Sequence, residues 1–364
     1  MAEPVNLIEY ESVAREKMPQ AAFDFIAGGA EDEITLNDNR AAFQRIRLMP
    51  RFLTGVSNVD LTVDLLGERL SMPVLLAPVA LQKLAHPEGE AAAARAAKGA
   101  GVLQIVSTVS SLPLEETAAA ADGPKWFQLY CYTNRDVTQS LVARAEAAEY
   151  RAIVMTVDVP RLGRRERDFR NRLVFPQDIG PGNFESEATL SSLPEEARGS
   201  ALAMYWNSLI HDSLSWDDVE WVRSITSLPV LLKGVLHPED ARLAVERGLA
   251  GVIVSNHGGR QLDGSPAGID ALPAVVEAVQ ERAPVLVDGG VRRGTDVVKA
   301  LALGADAVLI GRPYVWGLAA GGAAGAGRVL SLLREEIELA MTLLGRESVR
   351  ALDRSVIWEA GAGP

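Results

Sequence analysis

Short apolar runs, each bounded by glycine, proline or a polar residue, recur along most of the 364-residue chain. The runs are rich in β-branched residues and are apolar at successive positions, which is typical of strands buried on both faces of a parallel sheet. We therefore predict strands at 74–78, 102–107, 125–130, 152–158, 229–233, 251–256, 284–288 and 306–310.

Segments rich in alanine, glutamate and arginine separate most of these strands and have helical spacing. Examples are GEAAAARAAKGAG (89–101) and PEDARLAVERGLAG (238–251). Strands alternating with helices in this number favour a (β/α)8 TIM barrel. A doubly wound open sheet needs fewer strands and usually a glycine-rich first turn, which we do not find. The prediction is a single α/β domain over residues 1–364 built on a closed barrel.

Two stretches exceed what a barrel needs. Residues 1–72 precede the first predicted strand and contain a helix-like segment at 7–18, so we expect an N-terminal helical cap. Residues 159–214 form a long connection after the fourth strand, rich in turn formers, and we predict a mobile lid insertion there. Ser215 followed by Trp-Asp-Asp predicts a capping box at the start of the helix that precedes the fifth strand. The alanine- and glycine-rich stretch 318–327 predicts a flexible turn into the last helix.

Composition narrows the class of protein. The chain has 36 Lys and Arg against 48 Asp and Glu, a net charge of −12 that disfavours binding to a phosphate backbone. Its one cysteine, Cys131, excludes an internal disulfide and a zinc site of paired cysteines, and we expect no metal. No stretch has the length of a membrane span, and the first residues lack the pattern of a secretory signal. We expect a cytoplasmic protein.

Active sites of such barrels lie at the carboxyl ends of the strands, which selects candidates by position. Polar residues at these ends are Ser107, Gln128, Tyr130, Thr156, Asp158, Lys233, Ser255 and Asp288. His257 follows the sixth strand directly, and a neutral imidazole is the usual general base near neutral pH. His86 and His237 each precede proline and an acid, as at a helix start, and His211 lies in the predicted insertion.

Arginines near the same strand ends provide candidate anion sites. Arg165 follows the fourth strand and Arg260 follows His257, so both can donate paired hydrogen bonds to a substrate carboxylate. The other arginines of this run, at 164, 167 and 170, are interpreted as solvated. The loops DGGVRRGTD (288–296) and GRP (311–313) add glycines, helix starts and the cations Arg292 and Arg312. Both loops follow the last two strands, where barrels commonly bind phosphate.

Four long motifs closely resemble those of the FMN-dependent α-hydroxy acid oxidases and dehydrogenases. They are LAHPEGE (84–90), TVDVPRLGRRERDFRNR (156–172), SNHGGRQLDG (255–264) and LVDGGVRRGTDVVKALALGADAV (286–308). The resemblance runs from about residue 5 to about residue 355 and implies FMN held at the barrel mouth. The stretches DFIAGGA and QLYC are most similar to the mandelate and 4-hydroxymandelate oxidase branch.

The resemblance also implies roles for individual residues. Ala80, Ser107, Gln128 and Thr156 would face the flavin ring, Lys233 its N1 and O2 atoms, and Asp288, Gly290, Arg292, Gly311 and Arg312 the ribityl phosphate, with Ser255 also in the cofactor site. His257 would be the base and Asp158 would support its charged form. Tyr130 would bind the substrate hydroxyl, while Arg165 and Arg260 would bind its carboxylate. Hydride transfer and a carbanion route both stay open.

Two departures from the family pattern bear on the substrate. Phe25 stands where members acting on small acids usually carry a tyrosine, and Val109 stands where glycolate oxidase carries a tryptophan. The resemblance therefore implies that one polar contact to the substrate carboxylate is lost and that the substrate pocket gains volume. We therefore expect an (S)-2-hydroxy acid with an aryl group, oxidised to the 2-oxo acid while O2 becomes H2O2. Neutral substitutions in a lactate- or glycolate-type enzyme are the alternative.

Other functions stay open at this point. A 2-hydroxy acid dehydrogenase would keep the site and pass electrons to quinone or cytochrome. An FMN-dependent isomerase would not need His257 together with two carboxylate-binding arginines, and a non-enzymatic barrel would need a broken catalytic set. Relatives are commonly tetramers, so we expect a homo-oligomer, with the hydroxy acid and O2 as small-molecule partners.

Overall fold

The computed structural model describes residues 3–171, 179–184 and 209–358. Ahead of the barrel lie three helices and three short strands: α1 (Leu7–Lys17), α2 (Gln20–Ala27), α3 (Ile34–Arg45), β1 (Arg47–Leu48), β2 (Val63–Leu65) and β3 (Glu68–Leu70). Asn6 caps α1 by accepting hydrogen bonds from the backbone N–H groups of Ile8 and Glu9, which explains where that helix begins. β2 and β3 form an antiparallel hairpin.

Eight parallel strands then form a closed barrel. They are β4 (Val74–Leu76), β5 (Leu103–Ser107), β6 (Lys125–Leu129), β7 (Ile153–Thr156), β8 (Val230–Val235), β9 (Gly251–Val254), β10 (Val285–Asp288) and β11 (Ala307–Ile310). Neighbours in the chain are neighbours in the barrel, and β11 closes on β4. The predicted TIM barrel is confirmed, and each predicted strand overlaps an observed one.

Helices follow the strands and cover the outside of the barrel. They are α4 (Gly89–Ala100), α5 (Leu114–Ala119), α6 (Arg135–Ala147), α7 (Glu166–Asn171), α8 (Trp216–Ser224), α9 (Pro238–Glu246), α10 (Gly268–Val279), α11 (Gly294–Ala302) and α12 (Arg312–Leu344). Single 3-10 turns occur at Gln82–Leu84, Val349–Ala351 and Arg354–Val356, and β12 (Ile357–Trp358) pairs antiparallel with β1.

The core has two layers because successive strand residues point to opposite faces. Inside the barrel, Leu75, Ile105, Val154 and Leu286 belong to one buried cluster. Their chain neighbours face outward and pack against the helices in a second, larger cluster. Leu65 and Leu70 of the β2–β3 hairpin join the inner cluster, so the hairpin packs at the end of the barrel away from the strands' carboxyl ends.

Several local predictions can be compared with the structure. Ser215 and Asp218 form the predicted capping box at the start of α8, and His237 caps α9 through its Nδ1 atom. The turn predicted at 318–327 is present at its centre: Gly321 and Gly322 leave the helical conformation, and the chain kinks there between the two helical segments of α12. Most of the predicted insertion at 159–214 lies outside the described residues, and the domain boundaries stay predictions.

Candidate active site

A cavity of about 1260 Å³, including its mouth, lies at the carboxyl ends of all eight barrel strands. Most of the predicted site residues line it: Phe25, Ala80, Ser107, Val109, Gln128, Tyr130, Thr156, Arg165, Lys233, His257, Arg260, Asp288, Gly290, Arg292, Gly311 and Arg312. Asp158 and Ser255 stand behind this layer and hydrogen-bond to residues within it. Strand register brings distant sequence positions together; Thr156 pairs with Lys233, for example.

His257 and Asp158 form a hydrogen-bonded pair at the cavity. The His257 Nδ1 atom lies 2.9 Å from Asp158 Oδ1, which leaves Nε2 as the ring nitrogen able to accept a proton. His257 has a φ of 59° and is held in this left-handed turn by a hydrogen bond from its N–H to Ser255 Oγ, 3.0 Å long. Gly234 makes room for the pair, because a Cβ there would lie 2.6 Å from Asp158 side-chain carbons.

The surroundings of this pair favour a neutral imidazole beside an ionised carboxylate. Burial lowers the pKa of His257 below its ordinary value; Asp158 opposes this effect and Lys233 adds to it. Burial alone would raise the pKa of Asp158, but His257 and Lys233 outweigh it, so this pKa is lowered. The free site therefore holds a base that is ready to take a proton near neutral pH.

Replacing Asp158 with Asn tests the pair. We expect a roughly 100-fold slower proton transfer, because the amide cannot stabilise the imidazolium as a carboxylate does. Loss of the carboxylate also removes the contribution that raises the His257 pKa, so the acidic limb of the kcat/KM profile moves to lower pH. Steady-state rates of the variant and wild type across pH measure both effects, and an unshifted acidic limb would contradict the assignment.

Lys233 lies deep in the cavity wall and is 4% exposed. Its Nζ atom is 3.1 Å from Asp288 Oδ2 and donates a 3.0 Å hydrogen bond to Ser255 Oγ. Burial would lower the Lys233 pKa, but Asp288 and Asp158 outweigh burial and raise it. The site thus keeps a fixed positive charge.

A row of polar side chains crosses the cavity floor from β5 to β7. Ser107 Oγ donates to Gln128 Oε1 over 3.2 Å, and Gln128 Nε2 donates to Thr156 Oγ1 over 3.0 Å. These bonds fix the amide of Gln128, with its Nε2 on the Thr156 side. The row offers both donors and acceptors to the edge of a planar heterocycle.

Two half-buried arginines, Arg165 and Arg260, face the same cavity from loops after β7 and β9. Burial lowers the pKa of Arg260 well below its ordinary value, and the nearby Arg165 and Arg312 lower it further. Burial likewise lowers the pKa of Arg165. A bound anion would offset this crowding of positive charge. Arg260 also lies over the Phe25 ring, with Cζ 5.3 Å from the ring centroid.

The C-terminal end of α2 supports these cations through backbone carbonyl groups. Arg260 Nη1 donates to the carbonyl oxygens of Phe25 (2.7 Å) and Gly28 (3.0 Å). Arg312 Nε and Nη2 donate to those of Ile26 and Gly28, both over 2.9 Å. The negative end of a helix dipole favours cations at this position. The carbonyl of Gly28 thus joins the two arginines.

The loops after β10 and β11 make the adjoining part of the cavity suited to a phosphate. Gly290 (φ 90°) lets the β10 loop pass closely over the cap, since a Cβ there would lie 1.9 Å from the Asn39 carbonyl oxygen. Gly311 precedes the first residue of α12, whose free N–H groups attract anions. Burial lowers the pKa of Arg292 to about 10. Burial also lowers the pKa of Arg312, to about 9, and repulsion by the charge of Arg292 contributes to this shift.

Several residues that line or support the cavity carry no signal in the sequence that marks them for this site. Leu162 and Ile210 line the cavity beside Phe25 and Val109 but carry no polar signal in the sequence. Gln261 donates to the carbonyl oxygens of Asp158 (2.8 Å) and Arg161 (2.9 Å), and so joins the loops after β7 and β9.

The interpretation of Arg167 as a solvated residue is wrong. Its side chain is half-buried and pairs with Glu33 (2.5 Å) and Asp24 (3.5 Å) of the N-terminal segment. The two acids lie more than 130 positions away along the chain, so sequence spacing could not reveal the pairs. Arg164 and Arg170 are largely exposed, as expected.

The comparisons with known proteins agree with this site. Residues 14–359 match the family of FMN-dependent dehydrogenases, and the chain therefore belongs to that family. It is 52% identical to glycolate oxidase of Spinacia oleracea, over 100% of this chain and 98% of that one. It is 49% identical to L-lactate oxidase of Nostoc sp., over 98% and 99% respectively. A solved mandelate oxidase with (S)-4-hydroxymandelic acid has a TM-score of 0.92, 47% identity and coverage of 96% and 98%.

FMN, the cofactor of this family, fits the donor set of the cavity. Asp288 Oδ1 is buried at the cavity and has no hydrogen-bond partner within the described ranges, so it can accept from a ribityl hydroxyl. Arg292 and Arg312 would supply the charge for a phosphate, and Lys233 would supply it for an electron-rich ring edge. Within the described part of the chain there is no cluster of three potential metal ligands, and no helix is long and apolar enough to cross a membrane.

Proposed function

We propose that this protein oxidises an (S)-2-hydroxy acid with an aryl side group to the 2-oxo acid, while O2 is reduced to H2O2. The observation that carries the proposal is one cavity lined by His257, which pairs with Asp158, together with Arg165, Arg260 and the polar and cationic groups that fit FMN. The reaction balances: the substrate loses two electrons and two protons, and O2 gains them. Relatives that are named oxidases of hydroxy acids support the choice of O2 as acceptor.

The residues at the cavity divide the chemistry among them. Arg165 and Arg260 bind the substrate carboxylate, which orients the α-carbon. Tyr130 binds the substrate hydroxyl; burial raises its pKa to about 12, so its phenol stays protonated. His257 Nε2 takes the hydroxyl proton, and Asp158 stabilises the resulting imidazolium. Bound FMN supplies the two-electron redox chemistry, and the protein supplies orientation and charge.

The aryl preference rests on the apolar part of the cavity. Phe25, Val109 and Ile210 are buried and line the cavity with Leu162. Phe25 brings no hydroxyl to the carboxylate site, and its ring face is turned to Arg260. Such a lining favours an apolar ring over a hydrogen or methyl group. Similarity to solved mandelate oxidases supports this substrate class.

A small hydroxy acid is the second candidate substrate. The sequence identity to glycolate and lactate oxidases, 52% and 49%, favours it. The two candidates differ only in the side group on the α-carbon, so they share the base and the arginines. They predict opposite orders of reactivity toward mandelate and lactate or glycolate.

Anaerobic flavin bleaching tests the proposal directly. Holoenzyme is mixed with (S)-mandelate, (S)-lactate or glycolate under anaerobic conditions, and air is then admitted. We expect the fastest bleaching with mandelate, followed by rapid return of colour and formation of H2O2. Slow return of colour would instead indicate a dehydrogenase, and faster bleaching by lactate or glycolate would favour the second candidate. Bleaching by none of the three would overturn both.

The variant Phe25→Tyr tests the basis of the preference. A hydroxyl on this ring adds a donor beside Arg260 and the carboxylate, so we expect the ratio of kcat/KM for mandelate over lactate to fall about tenfold. Phe25→Leu is the matched control, because it removes the ring without adding a hydroxyl. An unchanged ratio in Phe25→Tyr would remove Phe25 from the specificity argument.

The remaining expectations stay predictions. Several plant relatives are named as peroxisomal or glycolate oxidases, and the compartment of this chain stays open beyond the cytoplasmic expectation. Assembly into a homo-oligomer is likewise expected on the family resemblance alone.

A further inference from the structure

Asn39, on the N-terminal helix α3, is almost completely buried at 2% exposure and takes no part in the roles described so far. Its side chain forms a reciprocal amide pair with Asn256. Asn39 Nδ2 donates to Asn256 Oδ1 over 2.9 Å, and Asn256 Nδ2 donates back to Asn39 Oδ1 over 2.8 Å. Asn256 directly precedes His257, so the amide pair holds the residue next to the proposed base.

The amide pair is connected to the turn that carries His257. Asn256 Oδ1 also accepts from the N–H of Gly259 over 3.0 Å, and Asn256 Nδ2 donates to the Pro266 carbonyl over 3.0 Å. His257, Gly258 and Gly259 all have positive φ. For His257, which is not a glycine, this conformation is unfavourable unless neighbouring residues hold it in place. Through its hydrogen bonds to Asn256, Asn39 therefore supports the turn of His257 from the side of the N-terminal cap.

The same asparagine contacts the cofactor loop after β10. A Cβ on Gly289 would lie 3.1 Å from Asn39 Oδ1, and one on Gly290 would lie 1.9 Å from the Asn39 carbonyl oxygen. Both glycines have φ near 90°, so the loop passes directly over this residue. Asp288 begins that loop and pairs with Lys233. Asn39 thus packs against the loops of two adjacent strands, with its amide beside Gly289 and its backbone carbonyl beside Gly290.

Helix α3 is fixed to the His257 loop at a second point. Asp263 accepts hydrogen bonds from the N–H groups of Thr35 (2.8 Å) and Ile34 (3.2 Å), at the first turn of the helix. Asn39 lies one helical turn further on the same face. These two attachments fix both the rotation of α3 about its axis and its position along that axis relative to the His257 loop.

We infer that Asn39 is a positioning residue, which fixes the loop of His257 to the loop of Asp288 and Gly290 and so aligns the base with the cofactor. The inference rests on the proposed function for its catalytic part only. Its cofactor part concerns the FMN affinity of the chain and needs no substrate.

Substitution of Asn39 by alanine tests the inference. Because the turn of His257 loses its amide partner and Gly289 loses the neighbouring Oδ1 atom, we expect the FMN dissociation constant of the holoenzyme to rise about tenfold. We also expect the limiting rate of anaerobic flavin reduction to fall about tenfold in the FMN-saturated protein, together with an altered visible circular dichroism of the bound flavin. Asn37→Ala, on the exposed side of the same helix, should match wild type in all three measurements.

A double-mutant cycle separates positioning from general stability. If the two amides act as one unit, Asn39→Ala and Asn256→Ala should each weaken FMN binding, and the double variant should be no weaker than the poorer single variant. If the losses of FMN affinity in the two single variants add up in the double variant, the hydrogen-bonded amide pair does not cause the effect. A folded Asn39→Ala protein with wild-type FMN affinity and flavin dichroism would overturn the inference, even if its melting temperature were lower.

The measurements also separate this inference from the proposed function. If no hydroxy acid reduces the flavin of the wild-type protein, the proposed function fails, and FMN affinity and dichroism still decide the role of Asn39. If wild type is reduced and Asn39→Ala is reduced equally fast, the proposed function stands and the alignment of the base by Asn39 is wrong.

Discussion

Replacing His257 with alanine should slow anaerobic reduction of the bound flavin by a hydroxy acid by about 10²- to 10⁴-fold, the usual contribution of a positioned general base. The variant should remain yellow, because the imidazole lies at the cavity wall between Asp158 and the substrate space, while the phosphate loops are on other strands. Stopped-flow bleaching at saturating substrate measures the rate, and the flavin absorbance of the purified protein measures retention.

His237→Ala is the matched control for this prediction. His237 caps α9 by accepting a hydrogen bond from the Glu239 N–H and is not among the cavity residues. Its loss should cost about 1 kcal/mol of stability without changing the rate of bleaching. If His257→Ala were reduced as fast as wild type, another group would have to accept the hydroxyl proton, and the base assignment would be wrong.

Replacing Arg165 with methionine should lower kcat/KM for a hydroxy acid by about 10²- to 10³-fold. Removal of one partner of a buried, hydrogen-bonded charge pair costs about 3 to 4 kcal/mol, since the substrate carboxylate is left poorly compensated. An uncharged substrate analogue, with an amide in place of the carboxylate, should lose far less. The comparison of acid and amide therefore isolates the charge from general damage to the cavity.

Arg164→Met is the control, because it differs from the test by one position. The Arg164 side chain is 67% exposed, lies over the Phe169 ring and does not line the cavity. It should leave kcat/KM unchanged for both compounds. Equal losses for acid and amide in Arg165→Met would argue that this arginine shapes the loop and does not bind the carboxylate.

The barrel could be predicted from the sequence because its signal is local. Each strand is a short apolar run, and the residues at the strand ends converge on one mouth whatever the details of packing. His257, Lys233 and Asp288 were found in this way, and the long motifs added specific roles. The turn predicted at 318–327 was also a local signal: the helix breaks at Gly321 and Gly322, where Gly322 has a φ of 58°, while the alanines on either side stay helical.

The supports of the site could not be predicted for a physical reason. Asn39 and Asn256 are 217 positions apart, and Gln261 is about 100 positions from the carbonyl groups that it binds. Asparagine and glutamine are common on surfaces, so neither residue type marks a buried role. Only the packing of α3 on the strand-end loops brings these groups together.

The arginine contacts at the end of α2 have a consequence for how this site can change during evolution. Arg260 and Arg312 bind carbonyl oxygens of residues 25–28, and these contacts are independent of the side chains attached there. The side chain at position 25 can therefore be exchanged while the anion-binding framework keeps its shape. In this segment the backbone holds Arg260 and Arg312 while the side chain at position 25 faces the substrate side, so new specificities can arise here without moving either arginine.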